Sequence, residues 1–240
     1  MHDGRTMTAD GASPETALAK TARGEETRGK ILEAALALFR ERGFDETTMR
    51  DVARRAGVSL GNAYYYFASK ENLLQGYYAR MDEEHRAASE PVLARETDLR
   101  ARLLGVLKAK LRVSEPYHRF AGLLFKTAAD PESPANPFSD ASGPARKASV
   151  ALYARVLEGS RKRIPDDLRA RLPELLWTYA MGIILYWIHD RSPGRVKSQR
   201  LVERSVDLVV RLISIASNPL LRPLRKQVLA MLEDMEAAGA

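Results

Sequence analysis

Among the residues of this 240-residue chain whose types and spacing could do chemistry, the densest set is the run Ser59-Leu60-Gly61-Asn62-Ala63-Tyr64-Tyr65-Tyr66-Phe67. Ser59 is placed to cap a helix of about two turns. Ala63 and Phe67, four residues apart, share its inner face, which turns Leu60, Gly61, Asn62, Tyr64 and Tyr65 outward. That outer face carries small and aromatic residues and no acid. It suits a phosphate-lined groove, where tyrosine hydroxyls bond phosphates and Leu60 touches a thymine methyl. Tyr66 has the alternative of packing partly inward. Taken one at a time these tyrosines are ordinary amphipathic surface; only the constellation points to nucleic acid.

No set of comparable density points to catalysis. The four histidines, His2, His85, His118 and His189, lack metal-ligand spacing, and neither a Gly-rich phosphate loop nor a G-x-S-x-G elbow occurs. With no cysteine, a disulfide framework, thiolate zinc and thiol redox sensing are excluded. The expectation is a protein that is not an enzyme and needs no cofactor or metal.

The elements that must position the run lie on either side of it. Ile31, Leu32, Ala35, Leu36, Leu38 and Phe39 form one apolar stripe of a first helix, with Arg40 and Arg42 at its negative end and Gly43 as its stop. Thr48 opens a second helix as N-cap, with Asp51 completing a capping box and Met49, Val52, Ala53 and Ala56 facing inward. Gly57 and Val58 break the chain before Ser59. Helix, tight turn with Gly, helix is the helix-turn-helix arrangement, whose second helix enters the DNA major groove. Ser69 then caps a fourth helix, with Lys70 in its first turn.

The run GVSLGNAYYYFASKENLL, preceded by TTMRDVARRA, resembles the N-terminal DNA-binding domain of the tetracycline-repressor family of bacterial regulators. The likeness covers roughly the first third of the chain. It implies that Thr47 and Thr48 contact phosphate at the start of the second helix and that Arg50 reaches a base. It places Ser59, Leu60, Gly61 and Asn62 in the base-reading turn of the recognition helix, and Tyr64, Tyr65 and Tyr66 on phosphate and base. Lys70 matches the lysine that grips the backbone. Leu60 stands where many members carry a polar or basic residue, a departure that weakens hydrogen-bonded base readout there.

A formal charge of +7 is compatible with a nucleic-acid partner without locating it. Residues 20–70 hold ten Lys and Arg against seven Asp and Glu, so most of the excess lies elsewhere. No N-terminal apolar run resembles a signal peptide, and the most apolar stretch, 175–188, is too short to span a bilayer. A soluble cytoplasmic protein without a membrane partner is expected.

Residues 1–24 lack periodicity and read as a disordered arm, 25–70 as the helix-turn-helix domain and 71–240 as a helical regulatory and dimerisation domain, an all-α architecture. Arg23 and Arg28 give the arm a basic end that either enters a minor groove or stays solvated. The fourth helix should close at Pro91, with Asp82, Glu83, Glu84 and Arg86 on its polar side and His85 in solvent. Further helices are expected over 99–113, 117–128, 145–159, 173–189, 196–217 and 224–236, with a proline-rich loop over 130–144. Phe138 in that loop anchors it or lids a cavity.

The resemblance implies a homodimer on a palindromic operator, the helices 173–189 and 196–217 pairing across it, although these helices also suit a central core. It also implies a pocket in the body for a small hydrophobic ligand. Candidate lining residues are Tyr117, His118, Phe120, Phe125, Trp177, Met181 and Trp187, each of which equally suits core packing. The expected function is a homodimeric, ligand-released repressor. The alternative is an architectural factor or activator controlled by a protein partner, whose interior would be filled rather than hollow.

Overall fold

A computed structural model of the chain describes residues 14–133 and 135–238. Ten α-helices, linked by turns and three short 3-10 segments, make up the described residues, and no strand occurs among them. Contacts divide the chain into a head ending at Leu73 and a body beginning at Leu74.

In the head, α1 (Pro14–Arg42), α2 (Met49–Ala56) and α3 (Leu60–Tyr66) enclose a small core. Ile31, Ala35, Leu36 and Phe39 of α1 meet Val52 and Ala53 of α2, Ala63 of α3 and Phe67, all buried. The disordered arm expected over 1–24 is corrected from Pro14 onward; residues 1–13 lie outside the described residues. The reason is local: Pro14 fits a first helical position, where no N–H is needed, and the following Glu-Thr-Ala-Leu-Ala-Lys run has strong helix propensity. Arg23 and Arg28 therefore sit on a helix, with the Arg28 guanidinium 5.1 Å from the Phe67 ring centre.

The breaks between head helices follow the expected chemistry. Gly43 and Gly57 adopt φ of 89° and 70°, the left-handed region that glycine enters without a Cβ penalty. At the end of α2 the Gly57 N–H bonds the Arg54 carbonyl and the Val58 N–H reaches back to Ala53, which satisfies two orphan carbonyls. Thr48 and Asp51 form the reciprocal capping box, and the Ser59 hydroxyl accepts from the Asn62 N–H at 3.1 Å.

The body comprises α4 (Lys70–Arg95) beyond its first turn, α5 (Leu99–Ser114), α6 (His118–Ala128), α7 (Gly143–Glu158), α8 (Asp166–His189), α9 (Val196–Ala216) and α10 (Arg222–Ala238). Its core joins Leu103, Val106 and Leu107 of α5 to Tyr153 and Val156 of α7, Leu176, Ile183 and Trp187 of α8, and Val202 and Val206 of α9. Two prolines expected at helix boundaries lie inside helices instead: Pro91 in α4 and Pro173 in α8. In α4 the residues Met81, His85, Ser89 and Leu93 are buried at four-residue intervals, and Leu168, Leu172 and Leu176 do the same in α8. Packing of those rows on both sides of each proline holds the helix together.

Arg102 ties helix ends into this core. It is only 4% exposed, and its guanidinium donates to the carbonyls of Leu93, Glu96, Arg155 and Val156 at 2.6–2.9 Å. These oxygens terminate α4 and α7, where unpaired carbonyls concentrate negative potential. A Cβ on Gly159 would lie 2.2 Å from the Arg102 side chain, so that glycine leaves room for the clamp. At the start of α9 the buried Asp190 carboxylate accepts four bonds, from the backbone N–H and hydroxyl of Ser192 and of Ser198. Burial alone would raise its pKa; the four donors outweigh that and hold it well below the usual carboxylate range.

Candidate nucleic-acid interface and body cavity

The outward face of α3 is as open as the helical spacing requires. Leu60, Gly61, Asn62 and Tyr64 are exposed, Tyr65 is 81% exposed, and no acid lies in the first turn. Nothing approaches the position of a Cβ on Gly61, so a backbone or base edge can come close there. The Ser59 hydroxyl is exposed while it caps the helix. Tyr66 is half-buried, stands edge-on to Tyr65 at 5.1 Å and brings its hydroxyl near Gly24 of α1, the inward alternative.

On α2 the three arginines differ. Arg54 pairs with Asp51, and Arg55 makes a two-pronged bond to Glu41. Arg50 is exposed and has neither an ion-pair nor a hydrogen-bond partner among the described residues. It is thus the α2 cation left available to an anion. Thr48 is exposed, with its hydroxyl engaged by Asp51.

Two residues expected at phosphate are engaged within the head. Thr47 is 1% exposed and its hydroxyl donates to the Gly43 carbonyl at 2.8 Å, which braces the turn after α1. Lys70 donates to the carbonyls of Phe44 and Asp45 at 2.9 and 3.2 Å and sits 4.3 Å from the Phe44 ring centre. Carbonyls and a ring face hold that ammonium against the loop between α1 and α2, as a positioning residue.

The body contains a cavity of about 620 Å3. Its walls are largely apolar, with Met81, Leu124, Phe125, Trp177, Met181 and Ile188 prominent. Of the expected lining residues, Phe125, Trp177, Met181 and Trp187 reach it, whereas Tyr117, His118 and Phe120 do not. Tyr117 and Phe120 are buried against the Tyr77 ring, at 5.4 and 5.1 Å between centres. His118 bonds the Trp187 carbonyl at 2.9 Å and meets its ring edge-on. These three pack behind the wall. Phe138 lines the cavity edge-on to Trp177 while remaining exposed, so both of its expected roles meet in one contact.

Sequence reasoning missed the polar groups of this cavity: Asp82, Lys110 and Ser149, with Tyr77 and Tyr78 in the same lining. A signal existed for Lys110, which follows Val106 and Leu107 by four and three positions and so stands beside the apolar stripe of α5. The Asp82 carboxylate accepts from Ser149 at 2.5 Å, and Tyr78 donates to the Ala135 carbonyl. Burial lowers the Lys110 pKa, a change that Asp82 partly offsets. Behind this wall, His85 is 1% exposed rather than in solvent, because α4 turns it toward α5, where Nε2 meets the Val106 carbonyl at 2.9 Å. Burial, with positive Lys110 nearby, pulls its pKa down to about 3, so the ring is neutral at pH 7.

An acid-free exposed helix behind a capped two-helix turn, joined in one chain to a helical body with an apolar cavity, defines a class: helix-turn-helix regulators with a helical C-terminal domain. Residues 31–77 match the family described as bacterial regulatory proteins, tetR family, and residues 102–230 match the tetracyclin repressor-like C-terminal domain. The chain belongs to the tetracycline-repressor family of DNA-binding transcriptional regulators.

Among similar proteins is the HTH-type transcriptional repressor KstR2 of Mycobacterium tuberculosis, 37% identical over 99 residues, a match that covers 38% of this chain and 46% of the relative. The chain therefore spans about half the length of that relative. The HTH-type transcriptional repressor KstR of Mycolicibacterium smegmatis is 28% identical over 202 residues, covering 78% of this chain and 87% of that protein. The crystal structure of a TetR transcriptional regulator from Nitrosomonas europaea shares the fold, with a TM-score of 0.58 at 17% identity over 75% of this chain and 96% of that one.

Proposed function

We propose that the chain is a homodimeric repressor that holds a palindromic operator through Arg50 and the outward face of α3, and leaves it when a small hydrophobic effector enters the body. The observation that carries the effector is the cavity of about 620 Å3, within the range of small-molecule sites. A factor governed by a protein partner would have a filled interior. Repression is supported by the names of the relatives, both repressors. A repressor at an operator works in the cytoplasm. No helix among the described residues is long and apolar enough to cross a membrane.

Dimerisation rests on a second face of α8 and α9. Their inner residues join the core, while Leu175, Leu185 and Tyr186 of α8 and Leu208, Leu212 and Ile215 of α9 stay exposed. An apolar face of this kind on two helices suits an isologous interface, which sets two recognition helices on a two-fold operator. A footprint on the intergenic DNA beside the gene tests the reading: a protected palindrome is expected, and no protection overturns it. Leu212→Glu should give a monomer by light scattering and weaken operator binding about 100-fold, since the second half-site then binds without avidity.

A further inference from the structure

The polar groups of the cavity are unequally matched. Its charged lining residues are Asp82, Lys110 and Arg146, two cations against one carboxylate. Arg146 is engaged by the carbonyls of Pro137 and Ser139 in the loop before α7. Asp82 accepts the Ser149 hydroxyl. Lys110, by contrast, has no hydrogen-bond or ion-pair partner among the described residues; Asp82 acts on it only through its field. The Tyr77 hydroxyl is likewise without a hydrogen-bond partner among them, although Tyr77 is only 6% exposed and belongs to the same lining.

We infer that the cavity takes an amphipathic carboxylic acid, whose apolar body lies against Trp177, Met181 and Phe125 and whose carboxylate pairs with the Lys110 ammonium and accepts from the Tyr77 hydroxyl. This rests on the effector reading of the cavity and names the chemical class of that effector.

Charge and hydrogen-bond capacity select this class. An ammonium taken out of water without an acceptor is costly, and a ligand carboxylate supplies both the acceptor and the missing negative charge. A neutral ligand with a hydroxyl would give Lys110 an acceptor but leave the excess positive charge. An amine would add a third cation, and Asp82 is already engaged by Ser149. Burial that lowers the Lys110 pKa also agrees, since a bound anion restores the charged form. The tryptophans, methionines and phenylalanines of the wall exclude water from the pair and strengthen it.

The test uses dodecanoic acid, dodecanol and dodecylamine as probes on the full-length protein, read by calorimetry and by release of operator DNA. Wild type should bind the acid about tenfold tighter than the alcohol, as expected for a charge-assisted bond, and the amine weakest. Lys110→Met should retain the fold by circular dichroism and bind acid and alcohol within about twofold of each other. Tyr77→Phe should reduce the acid preference in part. Equal binding of acid and alcohol by wild type, or an acid preference that survives in Lys110→Met, would overturn the inference while leaving the cavity an effector site. If none of the probes binds, the effector reading falls with it.

Discussion

Head and body use their polar groups in opposite ways. In the head, the proposed DNA-binding surface consists of side chains turned outward without hydrogen-bond partners among the described residues, with Arg50, Asn62, Tyr64 and Tyr65 exposed on two short helices whose caps are complete. In the body, polar groups are turned inward. Some are fully matched, such as Arg102 on four carbonyls and Asp190 on four donors; others, such as Lys110, face a hollow. A surface for a large polyanion needs only rigid presentation, because the ligand brings the charge. A site for a small molecule needs a mismatch enclosed by the fold, and the fold around it must be held by other, satisfied polar groups.

That contrast can be broken most forcefully at Arg102. Arg102→Met leaves four helix-end carbonyls without their donor, and the expected loss is roughly 4 kcal/mol of body stability. Calorimetry should show the body transition fall while isolated head residues retain their secondary structure; an unchanged melting temperature would mean that the clamp is ornamental.

Acid pH sharpens the comparison next. His85 is neutral in the folded body, with a pKa near 3 against about 6.5 when unfolded. The unfolded chain therefore binds the proton first as pH falls. The stability associated with neutral His85 is intact above pH 6.5 and declines by about 1.4 kcal/mol per pH unit toward pH 3. Urea melts between pH 7 and 5 should show this slope in wild type and a shallower one in His85→Gln. Equal slopes would remove His85 from the account.

The smallest effect belongs to the head. Gly57→Ala places a Cβ at φ of 70° with no steric obstacle nearby, so the loss should be about 1 kcal/mol from backbone strain alone. Operator affinity should change only in so far as the angle between α2 and α3 does. A loss several times larger would show that the turn is held by more than its two backbone bonds.

The head was legible because its signals are local. Thr48 with Asp51, Gly57, Ser59 and the Ala63–Phe67 pair each act within four residues, and all appear in the structure as the spacing requires. The carbonyl partners of Thr47 and Lys70 were not legible, because they belong to residues 43–45, whose position depends on the fold. In the body, Pro91 and Pro173 misled because rows of buried residues on both sides outweighed one lost hydrogen bond. Asp82, Lys110 and Ser149 lie on α4, α5 and α7, so no window of sequence brings them together. Four of the seven residues expected in the pocket line it and three pack behind, since aromatic composition does not separate a wall from its backing.

The most direct test of the account is the affinity of the protein for its footprinted palindrome, measured by fluorescence anisotropy at two salt concentrations for wild type and Arg50→Ala. Wild type should bind with steep salt dependence, and Arg50→Ala should bind at least tenfold more weakly, with a reduced salt slope and an unchanged melting temperature. Equal affinity of the two proteins at both salts would contradict the assigned surface.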